Sequence, residues 1–208
     1  MSDDTRGISQ DLMAAIFNTS EFRKYSHDCR QDIVEALKDY QFNTLLDLDC
    51  GSGLMLEQIF EAFPLITANG FDYSLERLAG AKERLADKDV TLSFGNAKQL
   101  PYEKDSFDMV VSTSTFHHYP YPHDVLEEIH RVLKPKGTLI ICDTYLNAAM
   151  RYLNIVSRPI NEVTDIRMYS EKDIWQMLGK AGFTGIQWKK LNKYTYMAKA
   201  DASTVLSA

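Results

Sequence analysis

The fold of this chain is decided at Leu45-Leu46-Asp47-Leu48-Asp49-Cys50-Gly51-Ser52-Gly53. Residues 44–48 form a short apolar run of strand length, and the two glycines after it predict a tight turn. Apolar residues then recur at helical spacing on one face: Leu56, Ile59, Phe60 and Phe63. A strand that passes through a glycine turn into a helix leaves backbone N–H groups exposed at the carboxyl edge of a parallel sheet. Open α/β folds bind their ligands there.

The charges of this turn indicate the kind of ligand. A dinucleotide site spaces its glycines G-x-G-x-x-G, and counted from Gly51 the third glycine would fall at Leu56. Asp47 and Asp49 bracket the turn, and their carboxylates would repel a pyrophosphate but attract an ammonium or a sulfonium. The turn therefore disfavours NAD and favours a cationic ligand that carries a nucleoside, with S-adenosylmethionine as the leading candidate.

An acidic residue ends the next predicted strand, residues 65–71. Asp72 lies 19 positions after Gly53, a spacing typical of the carboxylate that accepts hydrogen bonds from ribose hydroxyls. The alternative is a helix-capping aspartate, but Ser74 is better placed to cap the helix that follows. We therefore predict the ribose role for Asp72.

The rest of the chain alternates between strand and helix patterns. Further strands are predicted at 90–94, 107–112 and 138–142, with helices between them. The helix before the last of these strands is predicted at 123–134. Five strands that alternate with helices indicate a doubly wound α/β sheet. After an insert at 144–169, a capped helix from Ser170 and two β-rich runs, 186–191 and 193–199, predict a closing helix and an antiparallel hairpin. The expected sheet has seven strands and is mostly parallel.

The first part of the chain, residues 8–42, shows helical periodicity and predicts an N-terminal helical cap. Within it, the aromatic and polar stretch 22–27 has two interpretations, a helix junction that seals the sheet edge or a lid over the ligand pocket. We predict one domain over 1–208. It is divided into the cap (1–42), a cofactor-binding core (43–143), a substrate-side insert (144–169) and the closing helix and hairpin (170–200).

Composition narrows the classes of protein further. The 208 residues carry a net charge of -6, which argues against a nucleic-acid substrate. No run reaches the roughly 18 apolar residues of a membrane span, and the acidic N-terminus lacks the apolar core of a secretion signal. Cys29, Cys50 and Cys142 are scattered and odd in number, which predicts free thiols and a cytoplasmic protein.

Five stretches together resemble the Rossmann-like (class I) S-adenosylmethionine-dependent methyltransferases. The resemblance is closest to the small single-domain group that is similar to the ubiquinone- and menaquinone-biosynthesis methylases, and it covers about residues 40–143. The matching stretches are 45–53, 70–74, 95–102, 106–112 and 131–137. The family's first motif normally has glycine where this chain has Asp49, and the third normally has aspartate where it has Asn96.

The resemblance implies a role for each matching position. Asp47, Gly51 and Gly53 would hold the methionine part of the cofactor, and Tyr73 would lie against the adenine. The full cofactor-binding set is Asp47, Asp49, Cys50, Gly51, Gly53, Asp72, Tyr73, Asn96, Ala97, Ser112 and Thr113. Within it, Asn96 and Ala97 would address the adenine edge, and Ser112 and Thr113 would line the site near the sulfonium. The product would be S-adenosylhomocysteine.

Asp49 is the departure with the larger predicted effect. A position used for glycine needs either a positive φ or unobstructed approach, and aspartate tolerates the first better than the second. Its carboxylate could instead pair with the cofactor's ammonium. Asn96 is a smaller change, because its amide oxygen can still accept a hydrogen bond from the adenine amine.

The remaining chemistry is the transfer itself. Most of the catalysis can come from holding the nucleophile and the methyl group in line, and a base is needed only for a protonated acceptor. His117 and His118 follow the fourth strand at the ligand edge and are the candidate catalytic residues. The alternative is that they only pack the loop. With His123 they form no complete ligand set, so no metal is predicted.

The sequence therefore predicts a methyltransferase for a small-molecule acceptor, with oxygen, nitrogen and carbon all open as the accepting atom. Two alternatives remain: a non-catalytic relative whose cofactor binding is weakened by Asp49, and a protein or RNA methylase.

Overall fold

The computed structural model describes residues 20–145, 169–192 and 195–203. The strands within these ranges are β1 Thr44–Leu48, β2 Thr67–Asp72, β3 Val90–Phe94, β4 Phe107–Thr113, β5 Leu133–Thr144, β6 Phe183–Lys190 and β7 Thr195–Ala202. The helices are α1 Ser20–Leu37, α2 Leu54–Ala62, α3 Leu75–Arg84, α4 Pro122–Val132 and α5 Glu171–Lys180, with a short 3₁₀ helix at Phe116–His118.

The strands form one sheet in the order β3-β2-β1-β4-β5-β7-β6. The first five pair in parallel, and β7 runs antiparallel to both β5 and β6. The predicted fold class, a doubly wound, mostly parallel Rossmann-like sheet of seven strands with a closing hairpin, is confirmed. The strand order reverses at β1, which pairs with β2 on one side and β4 on the other. Such a switch point opens a crevice at the carboxyl ends of the strands.

Each face of the sheet carries its own apolar core, because successive residues of a strand point to opposite faces. Leu45 packs in one core with α1, α2 and α3, and Leu46 packs in the other with α4 and α5. Strands buried on both faces need nearly continuous apolar sequence, as β1 and β4 have. No helix of the described ranges is long and apolar enough to cross a membrane.

The second half of α1 packs on a sheet face, with Cys29, Ile33 and Leu37 fully buried. The side chains of the stretch 22–27, on which the lid and junction interpretations depend, lie outside the described residues, as do 1–19 and most of the predicted insert.

The junction between α4 and β5 differs from the prediction. A helix was expected to reach residue 134 and a strand to begin at 138, but α4 ends at Val132 and β5 begins at Leu133. Leu133 already has extended backbone angles, and Pro135 disfavours helical geometry at the residue before it. A Cβ at Gly137 would lie 2.9 Å from the Lys134 carbonyl oxygen, so the strand passes this point only without a side chain.

Candidate functional site

A cavity of about 760 Å³ opens at the carboxyl edge of the sheet, at the switch point. The predicted site residues on its wall are Asp49, Tyr73, Asn96, Ala97 and His118. Its volume lies within the range of small-molecule sites, roughly 300–1,000 Å³. The other predicted residues lie outside the lining: Asp47, Cys50, Gly51, Gly53, Asp72, Ser112, Thr113 and His117.

The turn after β1 is built from left-handed backbone. Asp49, Gly51 and Gly53 have φ angles of 60°, 56° and 79°. The space around each glycine differs: a Cβ at Gly51 would meet nothing within 4 Å, whereas one at Gly53 would lie 3.0 Å from a side-chain carbon of Leu85. Asp49 lies in the left-handed backbone region, which aspartate tolerates better than most residues with side chains. The glycine-to-aspartate departure is therefore compatible with the turn.

Asp72 ties this turn to the start of α3. Its side chain is fully buried, and its two carboxylate oxygens accept hydrogen bonds from the backbone N–H of Gly51 (2.9 Å) and of Ser74 (2.8 Å). The Ser74 hydroxyl in turn accepts from the N–H of Arg77, as predicted for the helix cap. Each oxygen retains a second lone pair, so the ribose role stays a prediction.

Three carboxylates gather at this edge with little positive charge to balance them. Burial, with added repulsion from Asp49 and Asp72, raises the pKa of Asp47 well above its ordinary value. Burial also raises the pKa of Asp49 to about 6, and Asp72 adds to the rise, while hydrogen bonds and the charge of Arg77 partly offset it. Within the described ranges Asp47 Oδ2, although buried, has no hydrogen-bond partner. Residues of this kind fit a cationic ligand such as S-adenosylmethionine.

The Asp49 carboxylate is held by a residue from another loop. The Tyr119 hydroxyl donates a hydrogen bond to Asp49 Oδ2, which joins the turn after β1 to the loop after β4. Tyr119 also lines the cavity. Sequence reasoning missed this pair, because its members lie 70 positions apart and no local pattern links them.

The side of the cavity where adenine is predicted to bind has an exposed aromatic ring and a local turn. Tyr73 is 63% exposed, and the Arg77 guanidinium lies 5.6 Å from the centre of its ring. Asn96 Oδ1 accepts a hydrogen bond from the N–H of Lys98 at 3.0 Å, and its second lone pair remains for a ligand donor. Ala97 is buried beside it.

The two candidate histidines have different surroundings. His117 is buried, and its Nδ1 lies 2.6 Å from Asp143 Oδ1. Burial by itself would raise the pKa of Asp143, but the charge of His117 and hydrogen bonds from His117 and Thr144 bring it below its ordinary value. An ionised carboxylate only accepts hydrogen bonds, so His117 carries its proton on Nδ1. His118 is exposed on the cavity wall, and its ring lies 4.0 Å from that of His117.

Asp143 is a further residue that sequence reasoning missed. The available signal was its position: it lies near the end of β5, next to β4 in a parallel sheet, where polar side chains gather around ligands. Two predicted residues nearby do not line the cavity. The Ser112 hydroxyl is buried and 3.1 Å from that of Thr115, and Thr113 Oγ1 has no partner in the described part of the chain.

Comparisons with known proteins indicate the family. Residues 46–141 match the family model for a methyltransferase domain. The chain is 28% identical to the demethylmenaquinone methyltransferase of Lactococcus lactis subsp. lactis, over 88% of this chain and 86% of that protein. It is 34% identical to that of Oceanobacillus iheyensis over 55% of this chain, a match that spans only half of the relative's length. A methyltransferase structure from Aquifex aeolicus, described as SAM dependent, superposes with a TM-score of 0.66 at 23% identity, over 81% of this chain and 88% of that one.

Three findings point to one class of protein: the glycine turn at the switch point, the unbalanced carboxylates around it and the matched methyltransferase domain. These findings support the assignment of the chain to the Rossmann-like (class I) S-adenosylmethionine-dependent methyltransferases, enzymes whose cofactor is S-adenosylmethionine. Within that class it is similar to the methylases of quinone biosynthesis.

Proposed function

We propose that the chain transfers the methyl group of S-adenosylmethionine to a small, flat acceptor held in the cavity at the switch point. The observation that carries this proposal is that one cavity includes both the predicted cofactor residues Asp49, Tyr73 and Asn96 and the polar, aromatic loop after β4. His118 and Tyr119 of that loop line the same cavity, which supports an acceptor site beside that of the cofactor.

The chemistry asks little of the protein beyond placement. The cofactor supplies a methyl group on a positively charged sulfur, which leaves as a neutral thioether. Holding the acceptor atom in line with that methyl group accounts for most of the expected rate enhancement. His118 is the histidine on the cavity wall, and it would accept the proton of an acceptor hydroxyl. The buried pair of His117 and Asp143 would act as positioning residues, because it anchors the loop that carries His118.

The acceptor class follows from the wall and from the relatives. His118, Tyr119 and Tyr121 offer flat rings against which a planar acceptor can stack. The Lactococcus lactis relative is named as a demethylmenaquinone methyltransferase, so the first acceptor to test is a reduced demethylated quinone. A concave site in a chain of net charge -6 favours such a molecule over RNA. Three buried, unbridged cysteines support a cytoplasmic location.

Calorimetric titration of S-adenosylmethionine and S-adenosylhomocysteine tests the cofactor part. The wild type is expected to bind both in the micromolar range and Asp72→Ala to bind neither. Asp49→Gly, which restores the residue typical of the family, shows whether Asp49 weakens binding. Thermal unfolding of each variant separates loss of the site from loss of the fold. A wild type that binds neither compound while Asp49→Gly binds both would identify the chain as the non-catalytic alternative.

Transfer of a labelled methyl group tests the acceptor part. The reduced demethylated quinone is expected to be labelled, and bulk RNA and protein are not. His118→Gln should lower kcat about 10²- to 10⁴-fold, the usual contribution of a general base. His123→Gln is the matched control, since His123 lies on α4 and does not line the cavity. Labelling of RNA, or an unchanged rate in His118→Gln, would contradict the proposal.

A further inference from the structure

We infer that Asp49 selects the charged cofactor over its neutral-sulfur product and that Tyr119 is the positioning residue that keeps the Asp49 carboxylate on the cavity wall. This inference rests on the proposed cofactor site. It adds a role that the family's usual glycine at this position could not perform, because glycine carries no charge. Its consequence is that release of the product after each turnover is favoured by the same residue that attracts the next cofactor.

The position of Asp49 is what gives it this role. Among the described residues that line the cavity, Asp49 is the one acidic side chain. Its left-handed backbone, φ 60°, begins the turn that the cofactor's methionine part is expected to meet. Asp72 is fully buried and engaged by two backbone N–H groups, and Asp47 is 1% exposed. Neither presents its carboxylate on the wall as Asp49 does.

Tyr119 is the contact that holds this carboxylate. Its hydroxyl donates to Asp49 Oδ2, and Thr115 of the same loop helps to lower the pKa of Asp49. A hydroxyl donor leaves the carboxylate its negative charge, whereas a bonded lysine or arginine would neutralise it. The wall does carry two cations, but Arg77 lies over the Tyr73 ring and Lys98 is paired with Asp124 at 2.9 Å.

Every element around Asp49 contributes a charge or a titratable group. Asp72 of β2 disfavours the ionisation of Asp49, and Arg77 of α3 favours it, whereas Asp47 of β1 is itself held protonated by burial and by repulsion from Asp49 and Asp72. Cys50 follows it in the turn, and burial raises the pKa of that thiol far above the physiological range. Together these effects raise the pKa of Asp49 to about 6, with burial as the largest cause. The carboxylate is therefore mostly ionised at pH 7 and mostly protonated at pH 5.

The two ligands differ by one positive charge at sulfur. Their α-amino groups are ammonium ions between pH 5 and 7, so the charge of each ligand is nearly constant in this window. At an effective dielectric constant of about 20, the attraction between opposite charges near a protein surface is strong enough for a preference of roughly tenfold or more, after allowance for solvent. That preference should vanish where Asp49 is protonated.

The test is calorimetric titration of both ligands into the full chain at pH 7 and at pH 5. Wild type is expected to bind S-adenosylmethionine about tenfold more tightly than S-adenosylhomocysteine at pH 7, with most of the preference lost at pH 5. Asp49→Asn should show little preference at either pH. Because this variant retains every other group of the cavity, a pH dependence with another source would persist in it. Tyr119→Phe should reduce the preference at pH 7 about threefold or more. Asp105→Asn, which has the same left-handed backbone (φ 59°) away from the cavity, and Tyr40→Phe are the matched controls.

The outcomes separate this inference from the proposed function. A wild type that binds neither ligand at any pH overturns the cofactor site itself. Binding of both ligands with a preference that Asp49→Asn leaves unchanged overturns only the selecting role of Asp49. A preference that Asp49→Asn abolishes and Tyr119→Phe leaves intact overturns the positioning role of Tyr119. Unfolding temperatures close to that of the wild type establish that each variant is folded.

Discussion

Substitution of Asp143 by asparagine should destabilise the fold strongly, because this carboxylate satisfies three donors in a fully buried position. Asp143 Oδ1 accepts from His117 Nδ1 and from the N–H of Thr144, each at 2.6 Å, and Oδ2 accepts from the N–H of His117 at 2.9 Å. Asparagine offers one acceptor oxygen in place of two, and its NH₂ group would then face an N–H donor.

The magnitude follows from these contacts. The two hydrogen bonds at Oδ1 become neutral ones, a loss of about 1 kcal/mol each, and the third donor is left buried and unpaired at a cost of about 1–3 kcal/mol. We therefore expect Asp143→Asn to lower the free energy of unfolding by about 3–5 kcal/mol, the range found when a buried pair loses one partner.

Urea unfolding at pH 7 measures this loss. Asp124→Asn is the control, since it removes a half-exposed carboxylate whose ion pair with Lys98 is worth about 0–1 kcal/mol. The pKa of native Asp143 is lowered, so its contribution is present above the unfolded pKa near 4 and is lost as the pH falls below it. The difference in unfolding free energy between wild type and Asp143→Asn should therefore become smaller in acid. A loss below 1 kcal/mol at pH 7, or a gap that widens in acid, would refute the reasoning.

Three further predictions concern the turn, the sheet edge and the last helix. Gly53→Ala should lower the free energy of unfolding, measured in urea, by about 1–3 kcal/mol, because the residue has a positive φ and the new Cβ would have a contact at 3.0 Å. Gly80→Ala, within α3 and without crowding, should instead raise it by about 0.5–1 kcal/mol. Lys134→Met removes the 2.7 Å ion pair that helps lower the pKa of Asp108 to about 2. The variant should therefore be less stable than the wild type above pH 4, and the difference should shrink towards pH 2. A stability difference that is the same at pH 7 and pH 2 would contradict this. Ser170→Ala should cost about 1 kcal/mol by removing a capping box, and a change in melting temperature measures it.

Much of the fold was predictable from local patterns. The structure confirms several predictions: the strand at 44–48 and its glycine turn, the capping serines at 74 and 170 and the closing hairpin. They could be predicted because each depends on residues close together in sequence. The predicted boundary between α4 and β5 was wrong for a physical reason. The helical apolar pattern continues to Leu133, but Leu133 pairs with Phe107 in the sheet and is therefore part of the strand.

The functional site was only partly predictable. Position in the turn identified Asp49, and the loop after β4 pointed to two histidines without distinguishing them. The structure separates the two, since Asp143 accepts from Nδ1 of the buried His117 while His118 stays on the cavity wall. No pattern within the loop could show this, because Asp143 lies 26 positions further on.

The sequence by itself determined the sheet, the glycine turn and the preference for a cationic cofactor, because strand periodicity, turn chemistry and the sign of nearby charges act over a few residues. Only the tertiary structure decided which polar groups meet. Asp49 pairs with Tyr119, and His117 with Asp143, because parallel strands bring their carboxyl ends to one edge from positions far apart in the chain. The burial that raises the pKa of Asp49 to about 6 arises at the same edge, since low polarity and neighbouring carboxylates are properties of the packed cavity and not of the peptide.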